Sequence, residues 1–291
     1  MVRDTFCLRF SGITVRFDLP TQITVPQNFL PFLCPDTDTP DDLYTVELLH
    51  APLRPSGPRV LTLDETDIYE TDKGWLHIHP VLGDGEGCQV ACLFCPDGRH
   101  TVYYPASKWA YYSEVWNCSH LIQGEQLLAR HDAMLLHSSL VLCQGKTLLF
   151  SGPSGAGKST HAALWEAHTD ARVLNGDRTV IQRRSDGTFW GGGSIWSGTS
   201  GIFSPEQAPI AAIFLVEKSP ENRVERLGAN AFPPLYTQTI LRSWDSRFME
   251  KILDLFSQLL DQIPVYRLYC RPDREAVELV AKTVFGKEAP L

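Results

Sequence analysis

The chain has 291 residues, 43% of them hydrophobic, which is enough for two domains with buried cores. Its 26 basic and 34 acidic residues give a net charge of −8, which argues against a broad basic surface for nucleic acid, and no apolar run approaches the roughly 20 residues that span a bilayer. The amino terminus sets Asp4 and Arg9 around a short apolar segment with no secretory core and reads as cytoplasmic, where eight scattered cysteines read as packed or idle thiols.

From residue 5 to about 117, short β-type runs alternate with turn signals. FCLRF and ITVRFDL flank Ser11-Gly12 as a hairpin, followed by TVELLH, by DIYE and WLHIHPV around Asp72-Lys73-Gly74, and by CQVACLFC and HTVYYP around Pro96-Asp97-Gly98. This half reads as antiparallel β, interrupted by a proline-rich, irregular stretch between Leu30 and Pro58. A helical period over LIQGEQLLARHDAMLL predicts a bridging helix into a second domain, placing the division at residues 1–118 and 119–291. A buried strand SLVL, a turn at Gln144-Gly145 and a strand TLLFS follow, and the last runs straight into a glycine loop and the helix STHAALWEAH.

That loop, Gly152-Pro153-Ser154-Gly155-Ala156-Gly157-Lys158-Ser159, matches G-x-x-x-x-G-K-[ST] at every position and lies between a strand and a helix. Gly155 and Gly157 let backbone amides turn inward around phosphate oxygens, and Thr160 continues into the positive end of the new helix. Lys158 reaches the β and γ phosphates of a bound ATP or GTP, and the Ser159 hydroxyl is a ligand for Mg²⁺. Asp177, past the short strand ARVLN, is placed either to hold the metal or to take a proton from an attacking hydroxyl. An Asp-Arg pair after glycine is also an ordinary turn.

The second half resembles the C-terminal catalytic domain of HPr kinase/phosphorylase, within the group that includes phosphoenolpyruvate carboxykinase. The resemblance rests on LLHSSLVL, GPSGAGKST, VLNGD, GGGSIWSG, APIAAIFLVE and IPVYRLYCRPD, and covers about residues 120 to 285. It implies an α/β P-loop kinase domain, here following the smaller antiparallel β-rich half, with an ATP-dependent transfer of the γ phosphate to a hydroxyl of a peptide, protein or small molecule. The resemblance also implies two neighbouring acidic residues after the strand that follows the loop. Gly176 stands at the first, leaving Asp177 as base and metal organiser together. The β-rich half does not match that enzyme's amino-terminal domain and is assigned to acceptor recognition. A nucleotide-binding module with weak or no catalysis and a carboxykinase-like small-molecule enzyme are the alternatives. The sequence leaves oligomerisation open and gives no reason to expect a nucleic acid or membrane partner.

His137 precedes the strand leading to the loop and either orients a phosphate and modulates Asp177 or is a packing residue. GGGSIWSGTSG, residues 191–201, is small enough for close approach to nucleotide or substrate, with Trp196, Ser197 and Gly198 as candidate substrate contacts; a surface loop is the alternative. Cys88, Cys92 and Cys95 have the C-x-x-x-C-x-x-C spacing of an iron–sulfur site, but strand alternation sends Cys95 to the opposite face. His77 and His79 share a strand face without an identifiable third ligand.

Overall fold

A computed structural model of the chain describes residues 2–36, 39–80, 89–114, 118–119, 121–198 and 200–286. It is a mixed α/β protein with two sheets, and its contacts divide it into residues 1–124 and 125–291.

The first unit carries β1 (Val2–Phe10), β2 (Ile13–Thr24), β3 (Leu33–Cys34), β4 (Asp42–Leu49), β5 (Arg59–Leu63), β6 (Thr66–Glu70), β7 (Trp75–Pro80), β8 (Gln89–Phe94) and β9 (Arg99–Pro105). They form one sheet in the order β3-β1-β2-β4-β9-β8-β7-β6-β5. Alternating apolar residues bury one face: Phe6, Leu8, Phe10, Ile13, Val15 and Phe17 are all nearly inaccessible. The expected all-antiparallel arrangement is corrected at the centre, where β4 runs parallel to both β2 and β9. Parallel neighbours need long connections, and the proline-rich segment before β4 supplies one of them. At the start of β4, Asp42 and His100 form a fully buried pair at 2.8 Å. His100 Nδ1 accepts the Cys95 backbone N–H at 3.0 Å, so Nε2 carries the proton and donates to Asp42. With both ring nitrogens engaged, this group is structural.

Cys88 lies outside the described residues. Cys92 and Cys95 are buried free thiols whose ionisation burial pushes up, and no cluster of three or more ligating side chains occurs among the described residues. His77 and His79 lie together on β7, where His79 Nδ1 is 2.8 Å from the Thr66 hydroxyl. A short helix, α1 (Trp109–Glu114), follows β9.

The predicted bridging helix is shorter than its period suggests. Helix α2 spans Gly124–Arg130, His131 and Asp132 turn the chain with Asp132 at φ 54°, and Ala133–Leu136 opens β10 (Ala133–Cys143). Pairing of Ala133–His137 with β13 (Arg178–Arg183) overrides the local helical pattern. The other elements of this unit are β11 (Lys146–Ser151), α3 (Lys158–His168), β12 (Arg172–Asn175), β14 (Phe189–Gly192), β15 (Gln207–Lys218), β16 (Arg223–Arg226), α4 (Phe232–Tyr236), α5 (Ser246–Gln262), β17 (Val265–Cys270) and α6 (Arg274–Phe285).

Strands β11, β15 and β17 are parallel neighbours. Their side chains alternate between two cores, as a parallel sheet covered on both faces requires. Leu148, Phe150, Phe214 and Val216 pack with Trp165 of α3 and Val277 of α6, while Leu149, Ile213 and Leu215 pack with Ile252, Leu255 and Phe256 of α5. Helix α5 is capped by Asp245, whose carboxylate accepts the Phe248 amide. Because β15 pairs with β14 near its start and with β11 farther on, and β10 pairs with both β13 and β11, these five strands close into a ring. The carboxyl ends of β11, β15 and β17 gather where ligands enter parallel sheets. Among the described residues no helix is long and apolar enough to cross a membrane.

Candidate functional site

The glycine loop leaves the end of β11 and turns directly into α3, as the sequence predicts. Gly155 and Gly157 take φ of 77° and 105°, conformations that side chains resist, so these positions need glycine. The first amides of α3 have no partner within the helix and carry its positive end. Lys158 is buried, and its Nζ donates to the carbonyls of Gly152 (2.8 Å) and Pro153 (3.1 Å). Burial lowers the pKa of this ammonium, and the nearby Asp177 carboxylate works against that shift. The loop thus holds a cation folded against its own carbonyls, available to an arriving anion. Pro153, Ser154, Ser159 and Thr160 are exposed, and Ala156 is half-buried.

Asp177 occupies the turn between β12 and β13. Its Oδ1 lies 3.2 Å from His137 Nε2, and its Oδ2 lies 3.5 Å from Arg178 Nε. The structure therefore brings His137 and Asp177 together and sets both within electrostatic reach of Lys158. Burial first, and Lys158 second, lower the pKa of His137, outweighing Asp177 and a bond to the Gln238 side chain that both favour the charged ring. The shift favours the neutral ring, which can donate to the carboxylate from one nitrogen and accept from the other.

Asn175 has no site role in the sequence reading but fixes much of this geometry. It is completely buried, its Oδ1 accepts the amides of Asp177 (2.9 Å) and Arg178 (2.7 Å), and its Nδ2 donates to the Trp196 carbonyl (2.9 Å). The local signal is the Asn-Gly-Asp run, in which an asparagine amide can cap its own turn. The Trp196-Ser197-Gly198 segment lies directly against this turn. A Cβ placed on Gly198 would come within 2.5 Å of Asp177 Oδ2, and one on Gly176 within 2.5 Å of Ser200 Oγ. Ser200 is held in turn by the Ser197 carbonyl at 2.6 Å. Thr199 lies outside the described residues.

Two cavities flank the loop. One of about 630 Å³ is lined by Gly152 to Ala156, Gln238 and Arg267, and the other, of about 560 Å³, by Ala156, Gly157, Thr160 and His161 with the ends of β15 and β17. Each falls in the size range of small-molecule sites.

No protein-family model and no curated protein matches the chain. Among solved structures, the Hpr(Ser) kinase/phosphatase from Coxiella burnetii is similar over 52% of this chain and 87% of that one, with 13% identity and a TM-score of 0.30. A likeness of that size supports no inference about this chain.

Proposed function

We propose that the second unit is a P-loop kinase domain of the HPr-kinase-like type, binding ATP or GTP with Mg²⁺ at residues 152–160 and transferring the γ phosphate to a hydroxyl acceptor. The observation that carries the reading is the Lys158 ammonium in a full glycine-loop motif at a strand-to-helix junction, electrostatically coupled to the His137–Asp177 pair. A nucleotide and its metal fit these residues: the loop has the positive-φ glycines that a phosphate cradle needs, and exposed Ser159 stands at its end. Mg²⁺ on a nucleotide needs only one or two protein ligands beside the phosphates, a role for Ser159 and Asp177. The metal would offset charge on the phosphates.

In this reading Lys158 exchanges its carbonyl partners for phosphate oxygens. Asp177 accepts the acceptor's proton, and His137 orients the carboxylate. Trp196, Ser197 and Gly198 face the acceptor, which is a serine or threonine of a peptide or small protein, or a small-molecule hydroxyl. The β-rich unit recognises that acceptor. Calorimetry with Mg²⁺ and ATP or GTP tests the reading. The native chain should bind, and Lys158→Ala should bind about 30-fold or more weakly, the loss of a charge-assisted contact worth about 2 kcal/mol or more. A native chain that binds neither nucleotide would end the proposal.

A second reading, a nucleotide-responsive module with little catalysis, draws on Gly176, where no second carboxylate supports Asp177. Nucleotide consumption measured with and without candidate acceptors separates the two.

A further inference from the structure

Helix α3 carries a buried polar atom that the loop chemistry leaves unused. His161 is 2% exposed and lines the 560 Å³ cavity at the ends of β15 and β17. One helical turn on, the Trp165 indole N–H donates to His161 Nε2 at 3.3 Å. An indole nitrogen can only donate, so Nε2 must carry the lone pair. Burial lowers the pKa of this ring to about 4, so it is neutral at pH 7 and its one proton sits on Nδ1. That Nδ1–H is buried and has no acceptor, whereas buried donors are almost always paired.

The cavity's position says what could supply the acceptor. Ala156, Gly157 and Thr160 form its rim and also belong to the glycine loop and the first turn of α3. Lys158 folds back toward the start of the loop at Gly152, which marks the end for terminal phosphates. A nucleotide seated on the loop amides would therefore extend its other end past Thr160 toward the cavity. Val216, Pro220 and Pro272 give it apolar walls. The Arg271 guanidinium, pinned by Asp273 (2.7 Å), Glu275 (2.6 Å) and the Pro220 carbonyl (3.2 Å), adds a fixed planar group suited to stacking.

We propose that this cavity receives the purine base of the nucleotide and that His161 Nδ1–H, closed to solvent in the free chain, is uncovered as the base seats and donates to one of its ring acceptors. The inference rests on the nucleotide reading above and adds the part of the site that distinguishes a nucleotide from a bare polyphosphate. Adenine and guanine both present ring-nitrogen acceptors, so the histidine does not choose between them.

The test compares ATP, GTP and inorganic triphosphate, each with Mg²⁺, on the full chain, by calorimetry and by the ¹⁵N resonances of the histidine rings. The native chain should bind the two nucleotides more tightly than triphosphate, and only the nucleotides should shift the His161 Nδ1 resonance. His161→Phe should weaken nucleotide binding about tenfold and leave triphosphate unchanged, as expected for one lost hydrogen bond. Because that variant also strips Trp165 of its acceptor, Ser219→Trp, which fills the cavity from a half-buried loop position, should produce the same selective loss. Equal weakening toward triphosphate in both variants, or an unmoved Nδ1 resonance under saturating nucleotide, would overturn the base pocket while leaving the loop reading intact. Failure of the native chain to bind any of the three would overturn both.

Discussion

Ser200 stands where a side chain at position 176 would have to go: a Cβ on Gly176 lies 2.4 Å from Ser200 Cβ and 2.5 Å from its Oγ. The glycine that replaces the first carboxylate of the expected pair is thus matched by a serine from the loop after Trp196. Gly176→Asp alone should lower unfolding stability by about 1–3 kcal/mol through overpacking. Gly176→Asp combined with Ser200→Gly should recover most of that loss, because the two sites share one space. Thermal unfolding of the two single variants and the double variant measures the coupling, and additive effects would refute it.

Asp177→Asn keeps the shape of the turn and removes its charge. If Asp177 serves as both proton acceptor and metal organiser, turnover should fall about 10²- to 10⁴-fold, with a much smaller change in nucleotide affinity. The backbone amides of residues 177 and 178 still donate to the Asn175 side chain, so stability should change little. Steady-state kinetics with a verified acceptor decide the matter, and near-native turnover would remove Asp177 from the chemistry.

His161 also makes stability depend on pH. Its ring protonates near 4 in the folded chain against an ordinary value of 6.5, so between those values the unfolded chain binds more protons. The native chain should therefore lose stability on acidification from pH 6.5 toward 4, by a total on the order of 3 kcal/mol from this residue, with the full contribution present above pH 6.5. Denaturant titrations at several pH values should show a shallower decline in His161→Phe. Parallel curves for the two proteins would contradict the assignment.

The division at Gly124/Glu125 permits a further test. A chain of residues 125–291 contains every residue that the proposal assigns to nucleotide binding, together with the two cores flanking the parallel strands. It should fold and bind nucleotide within a few fold of the full chain while losing turnover on the acceptor. Circular dichroism and calorimetry check both expectations, and a folded fragment that ignores nucleotide would show that the first unit completes the site.

The parts of the site that were legible in the sequence are those with local causes. Gly155, Gly157 and Lys158 form a contiguous motif, and TLLFS before it is a short apolar run with strand chemistry. Ala133–Leu136 misled for the same reason, since a buried strand and one face of a helix share apolar content and only pairing with β13 distinguishes them. The parallel placement of β4 between β2 and β9 depends on connections that carry no periodic signal. The roles of Ser200 and His161 arise from groups distant in sequence, Gly176 and the cavity beyond β15, and so does the bond from Asn175 to Trp196, although its cap on Asp177 and Arg178 is local.

The ring of strands also determines when during folding the site comes into being. β11, which launches the glycine loop, pairs with β10 across a tight turn, but its other edge is completed only by β15, where Ser151 meets Leu215. Such a distant parallel pairing incurs its loop-closure entropy before any contact rewards it, so it belongs to the slow part of assembly. A hairpin of β10 and β11 emerging early would hold the motif without its cradle. Under the proposed function, nucleotide would recognise the chain only after β15 had docked, acting as a latch on the finished ring rather than as a seed for it.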